Sequence, residues 1–166
     1  AVAATAPGKH VVLTEVGGSA WVLRELAALD RLVTGANEDG TINAMFAAPA
    51  ADMLSLTPSE YFRRNCFVST LLSSGEVAKR RQIGMEQILW GNDFPHPEGT
   101  FPYTRELVRR RFKDVPRDEC RAILGHNAVG LYRIDTAALA PLVERIGPLV
   151  EDIHGETPLQ EVPEDR

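Results

Sequence analysis

The chain has 166 residues, of which 44% are hydrophobic and 25% charged, and its net charge is −5 at pH 7. This size and composition suit one folded domain, and the acidic balance argues against nucleic acid as a partner. No apolar run is long enough to cross a bilayer and the first residues, AVAATAP, lack a signal-peptide pattern, so we expect a cytoplasmic protein without a membrane partner. The distant cysteines Cys66 and Cys120 have no metal-ligand spacing and are expected to be reduced, buried thiols.

Three short apolar runs are predicted to be buried strands, each followed by a helical pattern. The strands are expected at 11–14, 66–71 and 88–91. Alternation of strands and helices favours a parallel sheet with right-handed crossovers, which is an α/β architecture.

The helices are predicted from their capping residues and apolar spacing. Ser19 is expected to cap a helix over about 19–33, and capping-box pairs stand at Thr57 with Glu60 and at Ser73 with Glu76. Further helices are predicted over 104–112, from Pro116 to Gly125, and from an expected cap at Asn127. An amphipathic helix is predicted over 136–153 with a break at Gly147-Pro148, before a loose acidic tail at 154–166.

The most informative stretch is Ile88 to Gly99, with the sequence ILWGNDFPHPEG. An apolar strand ends at Gly91, the carboxylate of Asp93 follows, and a rigid Pro-His-Pro corner comes next. This pattern is typical of a strand that delivers an acid to the mouth of an α/β barrel, where such barrels carry their chemistry. A metal-dependent hydrolase can use an aspartate there to bind the metal or to take a proton from water.

Four segments in register, HVVLTEVGGSAW, PSEYFRRNCFVS, ILWGNDFPHPEG and NAVGLY, resemble the amidohydrolase-2 family over roughly Lys9 to Ile134. That family comprises metal-dependent TIM-barrel hydrolases and decarboxylases, including aminocarboxymuconate-semialdehyde decarboxylase. The resemblance implies that residues 1–135 are the C-terminal part of a (β/α)8 barrel, with about three parallel strand–helix units plus closing helices. It also implies that the family's His-x-His pair and a further His, which are not present here, would come from earlier strands.

The same resemblance implies roles for individual residues. Asp93 is expected to bind the metal and act in catalysis, and Glu15, where the decarboxylases have a His, to act as a general base or to hold a substrate or water. Asp93 can also be a turn residue, and Glu15 can pair with an arginine at the barrel rim. Trp21 and His96 are candidate substrate contacts, although Trp21 could equally be core and His96 a surface residue. The run Arg109-Arg110-Arg111 is most simply a solvated helix face.

The function implied by the resemblance is a metal-dependent hydrolase that uses metal-activated water on a small-molecule substrate, with zinc as the expected divalent metal. A zinc site needs about three or more protein ligands, and Asp93 is the one clear ligand, so we expect no tight zinc site and no hydrolase activity from this chain alone. The alternatives are a decarboxylase (a lyase) of the same family, a noncatalytic binding module, and a half-size barrel completed as a homo-oligomer through its exposed strand edges. The enzymatic interpretation requires the side chains of Glu15 and Asp93 to emerge close together from like-directed strands.

Overall fold

The computed structural model describes residues 8–14, 20–35, 41, 54–156 and 160–163. Glu15 and the expected cap Ser19 lie outside the described residues, as do parts of the predicted acidic tail. Every helix within these ranges is too short or too polar to cross a bilayer.

The sheet has three parallel strands, β1 (Val11–Leu13), β2 (Cys66–Thr70) and β3 (Ile88–Trp90), in the order β1-β2-β3. In β1 Leu13 lies opposite Val68, and at the other side of β2 Thr70 lies opposite Trp90. All three strands therefore end at one edge of the sheet, and the α/β fold with parallel strand–helix units that the sequence predicts is confirmed.

Eight α-helices are found among the described residues. They are α1 (Ala20–Thr34), α2 (Pro58–Asn65), α3 (Ser74–Ile83), α4 (Thr104–Phe112), α5 (Arg117–Arg121), α6 (Asn127–Tyr132), α7 (Thr136–Ile146) and α8 (Val150–His154). A 3-10 turn at Met85–Gln87 precedes β3, and a π-helical segment at Ala122–His126 joins α5 to α6.

Both predicted capping boxes are confirmed. The amide of Thr57 donates to Glu60 Oε2 at 2.8 Å, and the amide of Ser73 donates to Glu76 Oε2 at 2.7 Å, with the return bonds present in each case. A cap of this kind stabilises a helix by about 1 kcal/mol. These short-range signals set where α2 and α3 begin, and hence where the strands on either side of them lie.

The core lies between the sheet and the helices that cross over it. Val68 in β2 and Ile88 in β3 are fully buried at the centre of the sheet. The residues packed around them come from α1, α3, α4, α5 and the π-helical segment, and include Val22, Val77, Phe112, Cys120 and Ile123. Burial of β3 on this core gives a rigid base to the loop that follows it.

Asn127 does not cap a helix, contrary to the sequence prediction. Its side-chain amide instead donates to the carbonyls of Met85 and Ile88, both at 2.8 Å, and so ties the start of α6 to the entry of β3. Nor does Gly125 end a helix, because the chain continues from α5 through the π-helical segment into α6. The Asn127 side chain binds partly buried carbonyls that only the tertiary fold brings near it.

The predicted helix over 136–153 is divided into α7 and α8 around Gly147 and Pro148. Helix α8 packs against α4, where Arg109 donates to the carbonyls of Asp152 at 2.6 Å and Glu151 at 2.8 Å. Helix α7 buries none of its residues, and its apolar side chains are exposed.

Candidate functional site

The loop after β3 is held at both ends by backbone hydrogen bonds. The amide of Gly91 donates to Thr70 O at 3.1 Å, which extends the β2–β3 pairing beyond Trp90. The amide of Thr100 donates to Asn92 O at 3.0 Å, and an inner bond joins His96 N to Asp93 O at 2.8 Å. Residues 92–100 therefore form a closed, tightly turned loop at the carboxyl end of β3.

Asp93 occupies the left-handed backbone region, with φ of 55°. Aspartate and asparagine tolerate this region better than other residues with a side chain. Asn92 supports the turn, because its Oδ1 accepts a hydrogen bond from the amide of Phe94 at 3.1 Å. The turn geometry therefore suits an aspartate here, the Asp93 side chain is only 31% exposed, and its catalytic and metal-binding roles stay predictions.

Three ligand-type side chains converge on this loop. Nδ1 of His96 lies 3.4 Å from Asp93 Oδ2 and 3.4 Å from Glu98 Oε1. One such atom from each of the three residues falls within 4.8 Å of the others. The structure thus places His96 beside Asp93 with its side chain largely exposed, and its role as a substrate contact stays a prediction.

These three side chains fit a divalent metal in the chemistry of their donors. Carboxylate oxygen and imidazole nitrogen are ligands that zinc accepts, and three protein ligands are the usual number in catalytic zinc sites. Because the donors are already within 4.8 Å of one another, small side-chain rotations would bring all three to a common ion. His96 and Glu98 are mostly exposed, at 57% and 75%, so the cluster is open to solvent.

Glu98 is the residue that the sequence analysis missed. Its position, two residues after His96 and five after Asp93, has no helical or strand periodicity to mark it. The available signal was the pair of prolines on either side of His96, which predicts a sharp corner that folds Glu98 back toward Asp93.

Trp21 lies in α1 and packs against the hydrophobic core. Its Nε1 is buried and has no hydrogen-bond partner within the described ranges. The packing favours the core interpretation that the sequence left open, and its role as a substrate contact stays a prediction. Because Glu15 lies outside the described residues, its distance from Asp93 also stays a prediction.

A cavity of about 410 Å³ lies beside the loop, between it and α4. Its walls come from Pro97, Glu98 and Thr100 in the loop, from Leu71 just after β2, and from Leu107 and Arg111 in α4. Glu98 thus faces both the cavity and His96. A second, mainly apolar cavity of about 300 Å³ lies between Trp90, α4 and α8.

The arginine run in α4 is not the solvated face that the sequence predicted. Arg110 alone of the three is exposed, whereas Arg109 binds the carbonyls of α8 and Arg111 is partly buried. Arg111 Nη1 donates to Leu71 O at 2.8 Å. Burial lowers the pKa of the Arg111 guanidinium, and the neighbouring charge of Arg110 lowers it further, against a smaller opposing effect of Glu76. A charge pattern in sequence cannot distinguish these cases, because the packing of α4 against β2 and α8 decides them.

Comparison with known proteins identifies a family model and a solved structure to which this chain is similar. Residues 75–134 match the Amidohydro_2 family model, described as amidohydrolase, a range that includes Asp93, His96 and Glu98. The fold is similar to the crystal structure of 5-carboxyvanillate decarboxylase LigW from Sphingomonas paucimobilis, with 25% sequence identity and a TM-score of 0.53. That similarity covers 76% of this chain and 34% of the decarboxylase chain. No curated protein matches the chain by sequence.

Proposed function

From the confirmed resemblance to the amidohydrolase-2 family, we propose that this chain carries part of the active site of a metal-dependent amidohydrolase-type enzyme. The observation that supports the proposal is the convergence of Asp93, His96 and Glu98 on the loop that follows the carboxyl end of β3. This edge is where barrel enzymes of parallel strands place their catalytic groups.

In this proposal Asp93 is both a metal ligand and the group that takes a proton from the attacking water. A divalent ion supplies Lewis-acid chemistry and makes water nucleophilic at neutral pH, and zinc is the ion that the resemblance implies. Asp93 suits the proton-accepting role because its carboxylate is partly shielded on a rigid loop, with His96 Nδ1 3.4 Å away to orient it.

Glu15 is proposed as a second catalytic carboxylate. The strand before it, β1, runs in the same direction as β3, with β2 between them. Two strand spacings of about 4.8 Å separate β1 from β3, so groups leaving them are roughly 10 Å apart at the backbone. At that spacing two carboxylates act on a shared ligand and do not need to contact each other.

Decarboxylation of a small carboxylic acid is the second candidate reaction, and the similarity to 5-carboxyvanillate decarboxylase favours it. The two reactions have different products. Hydrolysis of amides or esters consumes water and releases an acid, whereas decarboxylation releases carbon dioxide.

The metal site is tested by titrating the chain with Mn²⁺ and recording amide NMR signals, since bound Mn²⁺ broadens signals near it. We expect broadening centred on residues 92–100 that is lost in Asp93→Asn and kept in Asp114→Asn, a matched change at an exposed aspartate. Asparagine retains the tolerance for left-handed backbone, so the variant removes the charge and keeps the turn. Broadening that is unchanged in Asp93→Asn would contradict the assignment.

The reaction is tested on a full-length, Zn²⁺- or Mn²⁺-loaded enzyme that contains this chain, with a panel of amides and esters and, separately, by carbon dioxide release from 5-carboxyvanillate. Whichever reaction is found, Asp93→Asn should lower kcat/KM by roughly 100-fold or more if the carboxylate transfers a proton. Asp114→Asn should leave it unchanged. Activity that survives Asp93→Asn would remove Asp93 from the mechanism.

A further inference from the structure

The cavity of about 410 Å³ between the loop and α4 has the cationic side chain of Arg111 in its wall. Arg111 uses one N–H of Nη1 to bind Leu71 O, and no ion pair to Arg111 is found within the described ranges. Glu76, the nearest opposing charge acting on it, is already engaged through Oε2 with the amide of Ser73.

A partly buried guanidinium without a counterion is costly to maintain, because the bond to Leu71 O replaces only part of its lost hydration. An anion in the cavity would give the guanidinium a partner of opposite charge. A carboxylate matches the planar fork of guanidinium donors with two parallel hydrogen bonds. The bond to Leu71 O holds the head group in place, so little ordering is needed on binding.

The remaining walls indicate what the anion is attached to. Leu71, Pro97 and Leu107 present apolar surface, and Leu107 is only 3% exposed. The hydroxyl of Thr100 is already paired with that of Thr104 at 3.0 Å. The cavity thus has both polar and apolar walls, and its size is typical of small-molecule sites.

Among the described residues of the wall, Glu98 alone is negatively charged. Its side chain is 75% exposed, and Oε1 lies 3.4 Å from His96 Nδ1. Its charge is therefore solvated and directed at the imidazole, so it weakly opposes an anion held at Arg111 on the α4 side.

We propose that this cavity binds the carboxylate of a small molecule with an apolar body, with Arg111 as the residue that selects it. The inference rests on the proposed function for its role, because Glu98 joins the cavity to the candidate metal cluster and makes it a substrate subsite. The binding itself requires no metal.

The test is a titration of the metal-free chain, in EDTA, with benzoate, benzamide and inorganic phosphate, followed by amide NMR. Benzoate should shift the signals of Leu71, Thr100 and Leu107. Benzamide, which has the same ring without the charge, and phosphate, which has charge without an apolar body, should each bind at least about 10-fold more weakly. This comparison uses the unaltered chain and so does not depend on the folding of any variant.

Arg111→Gln should weaken benzoate binding by about 10-fold or more, because glutamine can still bind Leu71 O but carries no charge. Arg110→Gln, with the same charge change at the exposed neighbour, should alter it less than about 2-fold. Equal effects of the two variants, equal binding of benzoate and benzamide, or phosphate binding as tightly as benzoate would overturn the proposal.

The proposed metal site and the proposed carboxylate subsite can each be refuted without the other. Asp93→Asn should keep benzoate binding, since Asp93 is outside the cavity wall. Absence of benzoate binding together with Mn²⁺ broadening at residues 92–100 would refute the carboxylate subsite and leave the metal site standing. Benzoate binding without Mn²⁺ broadening at residues 92–100 would refute the metal site and leave the carboxylate subsite standing.

Discussion

The backbone amide of Thr100 donates to the carbonyl of Asn92 at 3.0 Å, and this single bond closes the loop that carries Asp93, His96 and Glu98. Thr100 is almost completely buried, at 2% exposure, so the bond is protected from water. Three otherwise mobile polar side chains are thereby held on one short, rigid piece of backbone, as a metal or catalytic site requires.

Gly99 is predicted to be essential to this loop. A Cβ there would lie 2.7 Å from Asn92 O and 2.9 Å from both Asp93 O and His96 O. These are backbone atoms, which cannot move aside without distorting the loop. Gly99→Ala should therefore break the Thr100–Asn92 bond, lower the thermal midpoint and abolish Mn²⁺ broadening at residues 92–100. The control is Gly130→Ala in α6, where nothing lies within 4 Å and alanine should stabilise the helix by about 0.5–1 kcal/mol. A Gly99→Ala variant as stable as Gly130→Ala would show that the loop is not closed in this way.

Glu119 is predicted to make stability depend on pH in acid. Its carboxylate binds Arg80 Nε and Arg81 Nη2, each at 2.5 Å. Burial alone would raise the pKa of Glu119, but the hydrogen bonds from Arg81 and Arg80 outweigh it, so the pKa lies below 4.5. The stabilisation is complete above pH 4.5, where the unfolded chain is also ionised, and is lost as pH falls through the lower folded pKa.

The measurement is chemical denaturation from pH 7 to pH 3 with wild type and Glu119→Gln. The variant should lose about 2 kcal/mol at pH 7, because the Arg80 side chain is only 14% exposed and would lack its partner. The difference between the two proteins should shrink toward pH 3. A difference that stays constant with pH would contradict the assigned pKa shift.

The two thiols are predicted to react slowly in the folded chain. Cys120 is buried, as the sequence predicts, whereas Cys66 is only half-buried because it lies at the start of β2. Both cysteines are free, and burial, with smaller contributions from Glu119 and Asp118 against an opposing one from Arg80, raises the pKa of Cys120 to about 11. Burial also raises the pKa of Cys66. With a thiol reagent at pH 8, Cys120 should react only after denaturant is added, and Cys66 more slowly than a free thiol. Rapid reaction of Cys120 in native buffer would mean that the core around Phe112 and Val115 opens readily.

Asn127 is predicted to stabilise the entry of β3. Asn127→Ala removes the donors to Met85 O and Ile88 O, and leaving partly buried carbonyls unpaired should cost about 2 kcal/mol of unfolding free energy. His126→Ala, a change at the exposed preceding residue, is the control and should cost less than about 0.5 kcal/mol. Similar losses in both variants would indicate a general effect on helix propensity.

The sequence by itself determined the three strands and the starts of α2 and α3, but not where the helices after α4 begin and end. The capping boxes at Thr57 and Ser73 and the apolar run before Gly91 depend on neighbours within a few residues, so the strands, the helix starts and the place of Asp93 after β3 could be predicted. The four motifs added the resemblance to the amidohydrolase-2 family, whose model matches residues 75–134, because motif spacing is itself a property of sequence.

Only the tertiary structure decided which side chains meet. Glu98 reaches His96 through the turns of a closed loop, Asn127 binds carbonyls about forty positions earlier in the chain, and Arg111 enters a cavity while Arg110 next to it faces water. These pairings depend on how separate elements pack, and a one-residue step around a helix turns a side chain by about 100°. Periodicity and local chemistry do not encode that packing, so the loop's second carboxylate and the cavity beside Arg111 became visible only in three dimensions.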